Sequence, residues 1–158
     1  MSFETSVTFT KGPKITFQVE ERTEGLKAVL TQSNLFTFTF PKSQASSFIQ
    51  SLFNWLEAYG EKKKLPLLIL PRQILPPFSE KVLKEMEAIP LGKTLSYQDL
   101  ALKSGSPKAS RAVGTICRLN SWPLLIPCHR VLPKQRSIGN YAFGTPIKKL
   151  LLEFENAI

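Results

Sequence analysis

Apolar and polar side chains alternate through the first forty residues. Residues 5–10, 14–20, 26–32 and 34–40 keep a period of two and are rich in Thr, Val and Phe, which predicts four half-buried β-strands. Asn34 and the Lys11-Gly12-Pro13 stretch supply turn chemistry between them. From Ser43 to about Lys63 the period lengthens. Phe48, Ile49, Leu52, Phe53 and Leu56 recur at helical spacing, with Trp55 and Tyr59 beside them and Gly60 closing the pattern. This predicts one amphipathic helix packed on the sheet.

Leu67–Leu70 is short and wholly apolar, a candidate for a further buried strand. The stretch Pro71-Arg72-Gln73-Ile74-Leu75-Pro76-Pro77 then removes backbone donors and restricts each residue that precedes a proline. It reads as a linker between domains 1–76 and 77–158. Beyond it the pattern is helical. Phe78, Val82, Leu83 and Met86 form one stripe, Tyr97, Leu100 and Ala101 a second, and Ala112, Val113, Ile116 and Leu119 a third. Ser106-Pro107 suits an N-cap followed by proline at the first helical position, with Ser96 and Ser110 as less decisive caps. Lys103-Ser104-Gly105-Ser106-Pro107 is a tight turn between the second and third helices, the outline of a helix-turn-helix.

Composition adds a partner class. The chain has 158 residues, 42% hydrophobic and 21% charged, enough to bury a core, and it carries a formal charge of +9. Residues 93–136 hold Lys93, Lys103, Lys108, Arg111, Arg118, Arg130, Lys134 and Arg136 against Asp99 alone, so most of the surplus lies in the segment with the helix-turn-helix outline. A concentrated surplus of this kind favours a polyanion. The opening MSFETSVTF lacks a basic stretch followed by an apolar one, and no apolar run approaches the length of a membrane span, so a cytoplasmic protein is expected. Two cysteines and one histidine are too few for a disulfide scaffold or a conventional zinc site.

The sharpest local feature is Leu124-Leu125-Ile126-Pro127-Cys128-His129-Arg130-Val131, where an apolar run hands over to a thiol, an imidazole and a guanidinium. The thiolate is the reactive form of cysteine, and a neighbouring base or positive charge makes it accessible. His129 and Arg130 offer both; the other reading is a small buried cysteine beside a surface histidine. In the last helix, Pro146–Glu155, the apolar stripe runs through Ile147, Leu151 and Phe154 and continues to Ile158, with Glu155 falling on it. A carboxylate on a core-facing stripe costs several kcal/mol unless something takes its charge. Either Glu155 frays outward near the end of the helix or it pairs with the single histidine, giving a relay of Glu155, His129 and Cys128.

These residues resemble the catalytic domain of the O6-alkylguanine-DNA alkyltransferases, also called methylated-DNA–protein-cysteine methyltransferases. The likeness runs from Phe78 to Glu155 through FSEKVLKEMEAIPLGKTLSYQDLA, SGSPKASRAVG, LNSWPLLIPCHRVL, IGNYAFG and LLLEFE, in the family's order and spacing. Before it, only the order of strands and helix is similar. The resemblance implies an α/β protein: an N-terminal ribonuclease-H-like α/β domain, then a mostly helical C-terminal domain with a helix-turn-helix. It implies an S-methyltransferase that moves the alkyl group of O6-alkylguanine, with O4-methylthymine a further candidate, to Cys128 once per molecule.

By the same resemblance His129 is the base acting through a bound water, Glu155 orients and charges the imidazole, Asn120 braces the turn, and Tyr97 donates to the extruded guanine. Arg111 resembles the finger that enters the minor groove, with Lys108, Ser110, Ala112 and Arg118 as further DNA contacts. Tyr141, Ala142, Phe143, Val131 and Trp122 line the substrate pocket, where the backbone of Cys128 and Val131 reads the exocyclic amine and the Ala142 N–H meets O6. The expected partner is double-stranded DNA carrying O6-alkylguanine, bound through its minor groove by a monomer. No cofactor and no metal are expected.

The sequence departs from the family's pattern at Phe143, where many relatives carry glycine, and a ring there is expected to narrow the pocket against benzyl-sized adducts. Trp122 precedes Pro123 and either covers the pocket rim or packs, packing being favoured. Cys117 is expected to pack rather than accept. Two rivals are a non-catalytic binder of alkylated DNA and a helix-turn-helix regulator. Cys128 argues against the first, and the lack of an effector segment against the second.

Overall fold

The computed structural model describes residues 4–44, 46–135 and 137–158. Arg136, counted above in the basic segment, lies outside the described residues. The chain divides into two compact units, Met1–Arg72 and Gln73–Ile158, the boundary falling inside the proline-rich stretch. Strands and helices together make a mixed α/β protein.

The first unit holds strands β1 (Glu4–Thr8), β2 (Ile15–Arg22), β3 (Gly25–Gln32) and β4 (Thr37–Pro41) and helix α1 (Ser47–Gly60). The sheet order is β1-β4-β2-β3, antiparallel except for the parallel β2–β4 pair. Alternation decides what is buried. Ile15, Phe17 and Val19 point inward from β2, opposite Leu30 and Ala28 of β3, while Phe38 of β4 lies beside Phe17 with ring centroids 6.1 Å apart. From α1 come Ile49, Leu52, Trp55, Leu56 and Tyr59, all buried. The helix is shorter than the expected Ser43–Lys63: Lys42–Gln44 form a 3₁₀ turn and the Ser46 hydroxyl caps the helix by accepting from the Ile49 N–H. Gly60 is required by proximity, since a Cβ there would sit 2.1 Å from the Lys11 carbonyl oxygen.

The expected strand at Leu67–Leu70 does not form. That segment lacks regular structure, with Leu67 93% and Ile69 83% exposed. Pro66 and Pro71 bracket it and withdraw backbone donors, so apolar content alone gives it no sheet to join.

The second unit contains α2 (Pro77–Glu87), β5 (Leu95–Ser96), α3 (Tyr97–Lys103), α4 (Ser110–Arg118), β6 (Val131–Leu132) and α5 (Thr145–Phe154). Pro77 opens α2, where its missing N–H costs nothing, and the Glu80 carboxylate reaches back to accept from the Leu75 N–H at 3.0 Å. β5 pairs in parallel with β6, Leu95 opposite Val131 and Ser96 opposite Leu132. This short ladder brings the start of α3 alongside the turn that bears Cys128. Among the described residues no helix is long and apolar enough to cross a membrane.

Three sequence expectations need correction here. Ser106-Pro107 does not start the helix; the two residues lie in the preceding turn, where the Ser106 carbonyl accepts from Ala109, and α4 begins at Ser110 without a side-chain cap. The side-chain cap is at Ser96, whose hydroxyl accepts from the Asp99 N–H at 2.9 Å. The third stripe is Val113 and Cys117, four residues apart, with Ile116 half-buried; Ala112 lies off that face and is exposed, and Leu119 falls just past the last residue of α4, 76% exposed. At the C-terminus Leu152 replaces Ile158 on the buried face, since α5 ends at Phe154 and Ile158 lies beyond it, exposed.

Candidate active site

The loop from Asn120 to Pro127 is apolar but irregular, so its backbone needs partners from side chains. Asn120 supplies them: its amide donates to the Ile126 carbonyl at 2.8 Å, and its carbonyl oxygen accepts from the Trp122 N–H at 3.0 Å. Within that brace Leu124 sits at φ +75°, a left-handed conformation that costs a side-chain-bearing residue about 1–2 kcal/mol. Trp122, Leu124 and Ile126 are buried in the unit's core. Trp122 is therefore a packing residue, not a rim cover. The chain then turns through a 3₁₀ helix at Cys128–Arg130 and enters β6.

Glu155 caps the C-terminal end of α5, its N–H donating to the Leu151 carbonyl at 3.0 Å, and is 3% exposed. It does not fray outward. One carboxylate oxygen lies 2.7 Å from His129 Nε2. Arg130 donates to both oxygens, from Nε at 2.7 Å and from a terminal nitrogen at 3.1 Å, and its other terminal nitrogen donates to the Ile89 carbonyl at 2.9 Å. The end of α2, the 3₁₀ turn and the end of α5 thus meet in one buried cluster. Burial works against the Glu155 charge, but the hydrogen bonds of His129 and Arg130 and the guanidinium charge outweigh it and hold the carboxyl down at about 2.

His129 is wholly buried, and burial lowers its pKa, with Glu155 opposing. A neutral ring whose Nε2 faces a carboxylate carries its proton there, leaving Nδ1 as the acceptor. His129 Nδ1 is buried and has no protein hydrogen-bond partner among the described residues. Burial pushes the Cys128 thiol up, against hydrogen bonds to Asn120 and Tyr141; the sulfur lies 3.7 Å from the Tyr141 hydroxyl oxygen. Arg130 is not the thiol's activating charge, as its position beside the imidazole suggested; its guanidinium is engaged by Glu155 and Ile89. Burial thus favours the protonated form of the thiol.

Tyr97 begins α3 half-buried, and burial, reinforced by the nearby cysteines, raises its hydroxyl to about 12. Tyr141 and Phe143 form an edge-to-face pair with centroids 5.6 Å apart, Ala142 between them is exposed, and Val131 is buried. The loop that carries them is fastened by Thr145 Oγ1 donating to the Gly139 carbonyl and by Lys148 Nζ donating to the Asn140 carbonyl, each at 3.3 Å.

Sequence reasoning missed Lys148, which is wholly buried with its ammonium 5.8 Å from the Tyr97 ring centroid. Burial lowers its pKa, with the two cysteines opposing. The signal was available: Lys148, Leu151, Leu152 and Glu155 are spaced i, i+3, i+4, i+7, so the stripe that pointed to Glu155 also contains the lysine. Cys117 is buried, as expected of a packing residue, and burial raises it to about 12.

On α4 and the turn before it, Lys108, Arg111, Ala112 and Arg118 are exposed and Ser110 is half-buried. They make a cationic surface distinct from the buried cluster. Among the described residues no three His, Cys, Asp or Glu side chains gather as a metal site.

The family model described as 6-O-methylguanine DNA methyltransferase, DNA binding domain, matches residues 77–157. This chain belongs to that methyltransferase family. It is 39% identical over 116 residues to the methylated-DNA–protein-cysteine methyltransferase of Homo sapiens, covering 73% of this chain and 56% of the human protein. The Bacillus subtilis constitutive enzyme is 42% identical over 97 residues, covering 61% of this chain and 58% of its own length. The chain thus matches little more than half the length of these relatives. Against the Methanosarcina acetivorans methyltransferase the match is 34% over 138 residues and spans 85% of this chain and 87% of that one. The crystal structure of Mycobacterium tuberculosis O6-methylguanine methyltransferase shares the fold, with a TM-score of 0.62 at 24% identity over 90% of this chain and 93% of that one.

Proposed function

We propose that this protein repairs DNA by direct reversal, taking the alkyl group from O6-alkylguanine onto Cys128. The observation that carries the proposal is the 2.7 Å contact between His129 Nε2 and Glu155, both buried, in the turn that also bears the thiol. A buried, protonated thiol needs a base at the moment of reaction, and a neutral imidazole with a free Nδ1 is one. His129 takes the thiol proton through a bound water, and Glu155 steadies the ring as it becomes positive. The sulfur attacks the alkyl carbon, the carbon–O6 bond breaks, and the guanine leaves as a neutral base. Tyr97, which burial keeps protonated, donates a hydrogen bond that offsets the charge on the departing ring, and the proton lost by the thiol completes the neutral guanine. The product is a thioether, which has no good leaving group, so each molecule acts once.

O6 lies at the base edge inside the duplex, out of in-line reach of a side-chain sulfur, so the nucleotide must be rotated out. We assign α3, its turn and α4 as a helix-turn-helix docked in the minor groove, with Arg111 filling the gap and Lys108, Ser110, Ala112 and Arg118 holding the backbone. The pocket is assigned to Tyr141, Ala142, Phe143 and Val131 with the backbone of Cys128. The N-terminal unit is read as a ribonuclease-H-like support for this reacting unit, and the protein as a monomer. A reduced Cys128 requires a reducing compartment, consistent with the cytoplasm.

Intact-mass measurement after incubation with duplex DNA containing O6-methylguanine tests the proposal. The wild-type chain gains one methyl group and Cys128→Ser gains none while still binding the DNA. A wild-type chain that binds without gaining mass is instead a non-catalytic binder or a regulator.

A further inference from the structure

Arg130 lies next to the proposed base, yet its described side-chain hydrogen bonds all go to Glu155 and Ile89. Its fork spans both oxygens of Glu155 at 2.7 and 3.1 Å and its remaining terminal nitrogen reaches the Ile89 carbonyl at 2.9 Å. The side chain is buried with its partner. We infer that Arg130 is a positioning residue for the transfer: by claiming both oxygens of Glu155, it lets that carboxylate hold the His129 ring in one tautomer without handing it a permanent proton. This rests on the reading of His129 as the base.

Counting charges in the buried cluster leads to it. Guanidinium and carboxylate cancel, so the trio of His129, Arg130 and Glu155 is neutral when the imidazole is neutral. Protonating His129 then places a net positive charge in a buried site, against Lys148 on α5 as well as Arg130. Remove the guanidinium and the balance inverts. Glu155 is left with the imidazole as its partner, and the lowest-energy state becomes carboxylate with imidazolium. An imidazolium has no acceptor at Nδ1 and cannot take the thiol proton. The groups that decide this are Glu155 and Lys148 from α5, and Arg130 and Cys128 from the 3₁₀ turn.

His129 is the only histidine of the chain, so its imidazole resonances are unambiguous. Two readouts test the inference on the full-length protein. The first is the pH dependence of the rate of methyl transfer from O6-methylguanine DNA. The second is the ring's protonation state and tautomer by nuclear magnetic resonance with 15N-labelled histidine. In the wild type the ring is a neutral Nε2–H tautomer at pH 7, with the acid limb of the rate below the ordinary imidazole range near 6.5.

Arg130→Met moves the acid limb up by about one pH unit or more, so the rate at a pH on that limb falls about tenfold and recovers at alkaline pH. Arg130→Lys keeps the charge and leaves the limb close to wild type, with a lower plateau from the lost fork. If Arg130→Met does not fold, histidine spectra of the wild type and of Arg130→Lys decide. A neutral, Nε2-protonated ring in both supports the inference. A wild-type ring that is cationic at pH 7, or a rate loss in Arg130→Met that is the same at every pH, overturns it. A wild-type chain that transfers no methyl group at any pH refutes the repair proposal instead.

Discussion

The two units bury very different things. In the N-terminal unit the described core is Phe, Ile, Leu, Val, Ala, Trp and Tyr, and Thr39 is the one buried polar residue among those described. The C-terminal unit buries His129, Arg130, Lys148 and Glu155 within twenty-seven residues of sequence. Apolar burial stabilises by about 25 cal/mol per Å² without regard to direction, and it tolerates exchange of one apolar residue for another. A buried carboxylate, guanidinium and imidazole are held only while each has its partner. The first unit is built for stability, and on the proposed function the second gives up some stability to hold a proton-transfer group in place.

The contrast is broken most severely at Glu155. Glu155→Gln leaves Arg130 buried without a counter-charge, which costs the C-terminal unit about 3–5 kcal/mol and removes the ring's orienting partner. Chemical denaturation and the methyl-transfer rate are both expected to fall. Phe17→Ala is the matching change in the other unit, and it costs about 3–5 kcal/mol of stability through a core cavity. Here transfer by the folded protein stays at the wild-type rate. Equal loss of transfer rate from both variants, measured where each is folded, contradicts the division of labour.

Acid sharpens the same contrast. Burial lowers the folded-state pKa of His129 from its ordinary 6.5, so the unfolded chain takes up a proton first and stability falls as the pH drops below about 6.5. Glu155 is held at about 2 against an ordinary 4.5, so a second loss follows as the pH falls from about 4.5 towards 2. Hydrogen exchange resolved by residue is expected to show protection lost in the C-terminal unit first. Simultaneous loss in both units argues against the buried cluster as the cause.

A smaller effect is expected at the substrate loop. Phe143 packs edge-to-face on Tyr141, and Phe143→Gly opens the space beside that ring. Competition between O6-benzylguanine and O6-methylguanine substrates is expected to shift about tenfold towards benzyl, and no shift removes Phe143 as a size filter.

What could be read in the sequence follows from the same physics. Period-two alternation located the four strands because one face of each had to be buried, and the stripe of the last helix located Glu155 because a charge there needs a partner. Leu67–Leu70 misled because hydrophobicity does not say whether a sheet edge is available. Ser106-Pro107 misled because a good capping pair is equally good in a turn. Arg130 was assigned to the thiol because adjacency in sequence says nothing of which way a side chain leaves a 3₁₀ turn, and the partner that claims it is twenty-five residues away. Lys148 was overlooked because a lysine on a stripe reads as a surface residue whose stem packs, although its spacing to Leu151, Leu152 and Glu155 put it inside.

The most direct test is to locate the methyl group after reaction. Peptide mapping of the wild-type protein, incubated with excess O6-methylguanine duplex until mass gain stops, is predicted to find S-methylcysteine at position 128 and an unmodified Cys117. Methyl at Cys117, or no methylated cysteine in a protein that still binds the duplex, would contradict the account.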